Sequence, residues 1–237
     1  MAIYEKSCQV LMVEWLRSQL GPDESISRQD ILSHMGRSWP KIKSGTVACH
    51  IIKLTTNDPT RIHYGAAKDS DVLYRVASGL YRLYRPAEDP PPVYKPPDGP
   101  PEDAEDREGQ EFAYESDLRD FLAYHLELLE PGLKLYEEEG ITGVEYPAGS
   151  RRIDILGKDS AGAYVVIEVK VSHGHERTVG QLAYYLSWVR ENIAAGQPMR
   201  GMVVARNASE ELKLALRTLP NVLLYHYNLN VTLTKVQ

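Results

Sequence analysis

Arg152-Ile153-Asp154-Ile155-Leu156-Gly157-Lys158-Asp159-Ser160-Ala161-Gly162-Ala163-Tyr164-Val165-Val166-Ile167-Glu168-Val169-Lys170 is the stretch that decides the fold of this 237-residue chain. Two short apolar runs flank residues 157–162, a segment rich in turn formers, so the pattern predicts two strands paired as a hairpin. Side chains alternate faces along a strand, which puts Glu168 and Lys170 on one face and Ile167, Val169 and Val171 on the other. Asp154 likewise opposes Ile153 and Ile155, and pairing the strands carries it beside Glu168. The apolar run around Glu168 predicts a strand buried on both faces, where an unpaired charge is costly and marks function.

Two carboxylates and a lysine in this arrangement suit a divalent cation next to a phosphate. Hard cations such as Mg²⁺ take oxygen ligands and keep several waters, so one or two carboxylates plus substrate phosphate suffice. A metal so held polarises a phosphoryl oxygen and activates water, and a neighbouring lysine offsets developing negative charge.

Two helices are predicted to flank the hairpin. From Glu115, apolar residues fall at Leu118, Phe121, Leu122, Leu126 and Leu129, a helical stripe with Glu115 at its N-terminal end on nearly the same face. Residues 177–193 read as a second helix, with Val179, Leu182, Leu186 and Val189 facing a core and Gln181 and Tyr185 stacked on the neighbouring stripe.

The order of helix with Glu115, strand with Asp154, strand with Glu168-x-Lys170, helix with Gln181-x-x-x-Tyr185, then the strand Met199 to Ala205, resembles the PD-(D/E)xK nuclease superfamily. Within it, Tyr146-Pro147-x-Gly149-x-x-Arg152-Ile153-Asp154-Ile155-Leu156 and Val166-Ile167-Glu168-Val169-Lys170 are most similar to the catalytic domain of NucS/EndoMS-type endonucleases, over residues 112–226. The resemblance implies a restriction-endonuclease-like α/β fold, an α+β mixed sheet flanked by helices. It also implies that Asp154 and Glu168 are metal ligands with the Val169 carbonyl as a third, that Lys170 is the catalytic lysine, that Glu115 completes the metal site and that Gln181 supports it. The implied cofactor is Mg²⁺, with Mn²⁺ able to substitute. The motif's proline stands at Pro147, seven residues before Asp154 rather than next to it.

The N-terminal part is different in character and does not resemble the DNA-binding domain of NucS. Residues 1–85 hold 12 Lys/Arg against 8 Asp/Glu, whereas the whole chain has a formal charge of −6. An amphipathic helix is predicted from about Tyr4 to Leu20, with Val10, Leu11, Val13, Trp15 and Leu16 inward. Ser27-Arg28-Gln29-Asp30 is an N-cap pattern that opens a second helix through Met35. A third is predicted from Ser44 to Leu54, with Val47, Ile51 and Leu54 inward and Lys41, Lys43, Ser44, Thr46, His50 and Lys53 on an exposed side suited to phosphate and base contacts. Residues 61–84, with Arg61 at their start, read as short strands alternating aromatic and basic residues. The set resembles a winged helix-turn-helix, here expected to read DNA, with protein interaction as the alternative; Arg151 and Arg152 are expected to touch the DNA backbone near the cleft.

Residues 86–111 hold nine Asp/Glu, two Lys/Arg and the runs Pro90-Pro91-Pro92 and Pro96-Pro97. Such a composition predicts an extended linker, or a DNA-mimicking flap. The expected organisation is therefore a winged-helix domain at 1–85, a linker at 86–111 and a nuclease domain at 112–237. Cys8 and Cys49 have neither pairing nor zinc-ligand spacing. The chain shows no signal peptide or long apolar run, which sets the expectation of a cytoplasmic protein that does not enter the membrane. Double-stranded DNA and a homodimer are the expected partners. The expected function is a Mg²⁺-dependent restriction or modification-dependent defence endonuclease that reads DNA through its winged helix, with a NucS-like mismatch or branched-DNA repair nuclease and a non-catalytic DNA-binding regulator as the alternatives.

Overall fold

A computed structural model describes residues 3–94, 115–174 and 177–229, with the backbone alone at 172–174. The remainder of the expected linker and residues 175–176 lie outside the described residues. The chain divides into two compact units: residues 1–98 together with Tyr136–Arg152, and residues 99–135 together with Ile153–Gln237.

In the first unit, α1 (Cys8–Gln19), α2 (Arg28–Ser38) and α3 (Ser44–Leu54) pack with a small antiparallel sheet of β1 (Ser25–Ser27), β2 (Leu73–Ala77) and β3 (Leu80–Leu83), in the order β1-β3-β2. The caps follow the sequence: Ser7 accepts from the Val10 amide at the start of α1, and Ser27 from the Asp30 amide at the start of α2. Met12, Leu16, Ile31, Met35, Val47, Ile51, Leu54 and Leu73 are among the residues that form the core. Of the residues expected inward on α1, Leu16 is buried with Cys8 and Met12, and Leu11, Val13 and Trp15 pack partly buried against the same core, whereas Val10 is exposed.

The compact units divide the chain differently from the expected domain boundaries at two places. Residues just past 85 are tied to the first unit rather than free: Asp89 pairs with Arg82, the Val93 amide donates to the Thr56 carbonyl at 2.9 Å, and the Tyr94 ring covers the Arg61 guanidinium at 5.3 Å. The second difference is larger. Residues 136–152, expected in the nuclease domain, pack on α3 as a two-stranded ribbon (Glu137–Glu138 with Ile141–Thr142) followed by β4 (Val144–Ala148). Gly45 of α3 makes this approach possible, because a Cβ there would lie 2.5 Å from the Tyr146 hydroxyl. Among the other contacts are Lys43 with Glu138 at 2.9 Å, Thr46 with Glu138, the Tyr64 hydroxyl donating to the Glu145 carbonyl at 2.5 Å, and Thr142 donating to the His63 carbonyl at 3.1 Å.

The second unit is built on a mixed sheet. β5 (Arg151–Lys158), which begins in the first unit and continues in the second, pairs antiparallel with β6 (Tyr164–Gly174). β6 pairs parallel with β7 (Met199–Ala208), and β7 parallel with β8 (Val222–His226); a short edge at Lys134–Leu135 pairs with β5. The strand order from β8 is thus β8-β7-β6-β5 and then the edge. Helix α4 (Glu115–Tyr124) buries Leu118 and Leu122 against the sheet residues Ile155, Ile167, Val169 and Met202. On the opposite face lies α5 (Arg177–Val189), whose Leu182 side chain approaches Gly201 of β7. A shorter helix, α6 (Glu210–Leu216), follows β7. This is the α+β mixed sheet flanked by helices that the sequence predicted. Among the described residues no helix is long and apolar enough to cross a membrane.

Candidate active site

The β5–β6 hairpin gathers the site. Its turn is held by Asp159, whose carboxylate accepts from the Ala161 and Ala163 amides, and by Gly162, whose φ of 85° favours glycine. The register pairs Ile155 with Ile167, so Asp154 and Glu168 are the next pair along the ladder, on the face away from α4. Asp154 is steadied by the Val169 amide, which donates to its Oδ2 at 2.8 Å. Glu168 is 2% exposed; its Oε1 lies 3.1 Å from Lys170 Nζ, and its Oε2 meets no hydrogen-bond partner among the described residues. Lys170 Nζ also reaches Glu115 Oε2 at 3.1 Å and the Val169 carbonyl at 2.9 Å.

The electrostatics follow from this crowding. Burial is the main reason the Glu168 carboxyl is pushed up to about 7; the Asp154 charge adds to it, while Lys170 works the other way. Burial alone would lower the Lys170 ammonium, but Glu168, Asp154 and Glu115 outweigh it and raise it, so the lysine stays charged. A buried carboxylate with a bare oxygen beside a second acid is a site short of positive charge.

Asp154, Glu168, Val169, Lys170 and Glu115 are therefore brought together. Glu115 sits on the lysine, and among the described residues no group of three or more His, Cys, Asp or Glu side chains is arranged to hold a metal by itself. Gln181 is half-buried on α5 with no hydrogen-bond partner among the described residues, whereas Tyr185 is buried and packs.

The expected DNA-contact set is not brought together on an open face. Thr46 and His50 are buried beneath residues 136–148, and Lys43 is paired with Glu138. Arg61 is fully buried, donating to the Lys53 and Ser70 carbonyls and to Asp71. Lys53 is half-buried, while Lys41, Ser44 and Arg151 remain exposed. Arg152 hydrogen bonds Thr60 and lies 3.6 Å from Glu145 and 3.9 Å from Asp58. The helical period showed one apolar stripe on α3; the second cover comes from a segment some ninety residues later, which no local pattern announces.

The second unit is thus a mixed sheet that sets two acids and a lysine together on one face. Residues 114–219 match the family described as the Endonuclease NucS C-terminal domain. Residues 7–83 match a separate family described as Domain of unknown function (DUF7669). Similar curated proteins include the Endonuclease NucS of Thermococcus kodakarensis, 32% identical over 103 residues (43% of this chain, 37% of that one), and that of Corynebacterium jeikeium, 35% identical over 106 residues (44% and 39%). The chain thus spans about two fifths of the length of these relatives. Among solved structures it is similar to a repair endonuclease from Pyrococcus abyssi (24% identity, 52% of this chain and 49% of that one, TM-score 0.41) and to EndoMS in complex with double-stranded DNA (23%, 64% and 54%, 0.43).

Proposed function

We propose that the chain is a metal-dependent endonuclease that hydrolyses phosphodiester bonds in double-stranded DNA. The observation that carries this reading is the bare Oε2 of buried Glu168 beside Asp154 and Lys170. The donors fit Mg²⁺, since all are oxygens: the two carboxylates, with the Val169 carbonyl as a third. Bound there, the metal supplies Lewis-acid polarisation of the phosphate and activation of water. Lys170 offsets negative charge on the reacting phosphate, Glu115 holds the ammonium in place, and Asp154 is oriented by the Val169 amide. Gln181, on the same side of the sheet, is the proposed support of this shell.

The covered face of α3 removes the support for sequence reading by that helix. We therefore favour structured DNA, mismatched or branched, over the restriction or defence role, in line with relatives named Endonuclease NucS. A homodimer would be required for paired cuts, because one site cuts one strand. The test is cleavage, with Mg²⁺, of matched, mismatched and branched duplexes and of modified and unmodified genomic DNA. Asp154→Ala and Lys170→Ala serve as controls, each expected to lose at least about a hundredfold in rate. Preferential cutting of the structured duplexes supports the reading, whereas discrete fragments from one genomic DNA only would restore the restriction role. Cleavage that survives both substitutions would refute the site.

A further inference from the structure

The strand next to the lysine strand carries a polar group that no motif marks. β7 pairs with β6 so that Val203 lies opposite Glu168 and Ala205 opposite Lys170. Paired residues of neighbouring strands share a face, and alternation then places Asn207 on the face of Glu168 and Lys170, two residues beyond Ala205. With a rise of about 3.3 Å per residue, that is roughly 7 Å further along, within reach of the backbone of a strand whose phosphate lies at Lys170. Val203 and Ala205 are buried, whereas Asn207 is exposed, and its carboxamide has no hydrogen-bond partner among the described residues. Pairing also shifts register there: the two steps from Ala205 to Asn207 span three on β6, from Lys170 to residue 173. Such a bulge bends a strand end and is common beside active sites.

We infer that Asn207 holds the DNA backbone at the phosphate next to the scissile one; the inference rests on the nuclease reading above. The residue type fits the place. Asp154, Glu168 and Glu115 surround Lys170, so a second cation on this face would be drawn into the acids. A carboxamide carries two N–H donors without a charge, and can approach a phosphate while leaving the acidic pair free. Asparagine is also among the residues that make positioning contacts to DNA phosphates.

The test compares wild type with Asn207→Ala, Asn207→Asp and Asn207→Gln. Affinity for a fluorescein-labelled mismatched duplex is read by anisotropy in EDTA at low and high salt, and KM and kcat with Mg²⁺. Removing a donor to a charged acceptor is expected to raise Kd and KM about tenfold with little change in kcat. Asn207→Asp should lose more than Asn207→Ala at low salt and less of that excess at high salt, as a screened repulsion requires. Asn207→Gln should recover part of the loss. Variants that bind and cut within about twofold of wild type, or a fall in kcat alone, overturn the assignment while leaving the nuclease intact. A wild-type protein that neither binds nor cuts matched, mismatched or branched DNA overturns the nuclease reading, and this one with it.

Discussion

His50 offers a direct test of whether α3 is covered or open. The imidazole is 1% exposed and both ring nitrogens lack a hydrogen-bond partner among the described residues. Burial pushes its pKa down from 6.5 to about 3; the Lys53 charge adds to this, and the nearby Glu139 backbone works the other way. The folded value lies below the unfolded one, so between these values the unfolded chain binds a proton that the folded chain does not. The stability contribution is therefore present above pH 6.5 and is lost as the pH falls. Between pH 7 and pH 5 the loss is about 2 kcal/mol, from 1.36 kcal/mol per pH unit over the part of that range below 6.5. Since other histidines also titrate, the quantity to measure is the difference between wild type and His50→Phe in urea unfolding at the two pH values, with the ring followed by NMR. Wild type should lose about 2 kcal/mol more than the variant, and the His50 resonances should not titrate down to pH 5. A His50 that titrates near 6.5, with parallel pH profiles for the two proteins, would refute the burial of α3 and return that helix to the candidates for DNA contact.

Gly45→Ala should destabilise the first unit by about 1–3 kcal/mol, because the added Cβ meets the Tyr146 ring at α3; chemical denaturation checks this, and an unchanged midpoint would contradict the close approach. Glu168→Gln should abolish cleavage yet, in EDTA at pH 8, match or exceed wild type in stability. A carboxyl raised to about 7 destabilises the fold progressively as pH rises from about 4.5 to 7, so the gain should vanish near pH 4.5. Mg²⁺ should stabilise wild type by supplying the missing positive charge, by about 2.7 kcal/mol at a hundred times Kd, read as a raised melting temperature, and should leave Asp154→Asn almost unmoved; equal shifts in both proteins would place the ion elsewhere.

The chain's local chemistry was enough to read the catalytic hairpin. Alternation put Asp154, Glu168 and Lys170 on one side, turn formers at 157–162 set the pairing, and Ser27-x-x-Asp30 opened α2, because strand period, turn type and capping are properties of a few consecutive residues. Glu115 beside Lys170 was legible for the same reason, as the first residue of a clear apolar helical stripe. Asn207 was not, since its place depends on the register between β6 and β7, two strands separated by a helix. The fate of the basic surface on α3 was likewise decided by tertiary packing alone. Lys43, Thr46, His50 and Arg61 look like solvent-facing DNA contacts until the ribbon and β4 close over α3 and Ser70, Asp71 and Tyr94 enclose Arg61. Burial is set by every segment that arrives at a surface, and a periodic pattern records only the face that the sequence itself makes apolar.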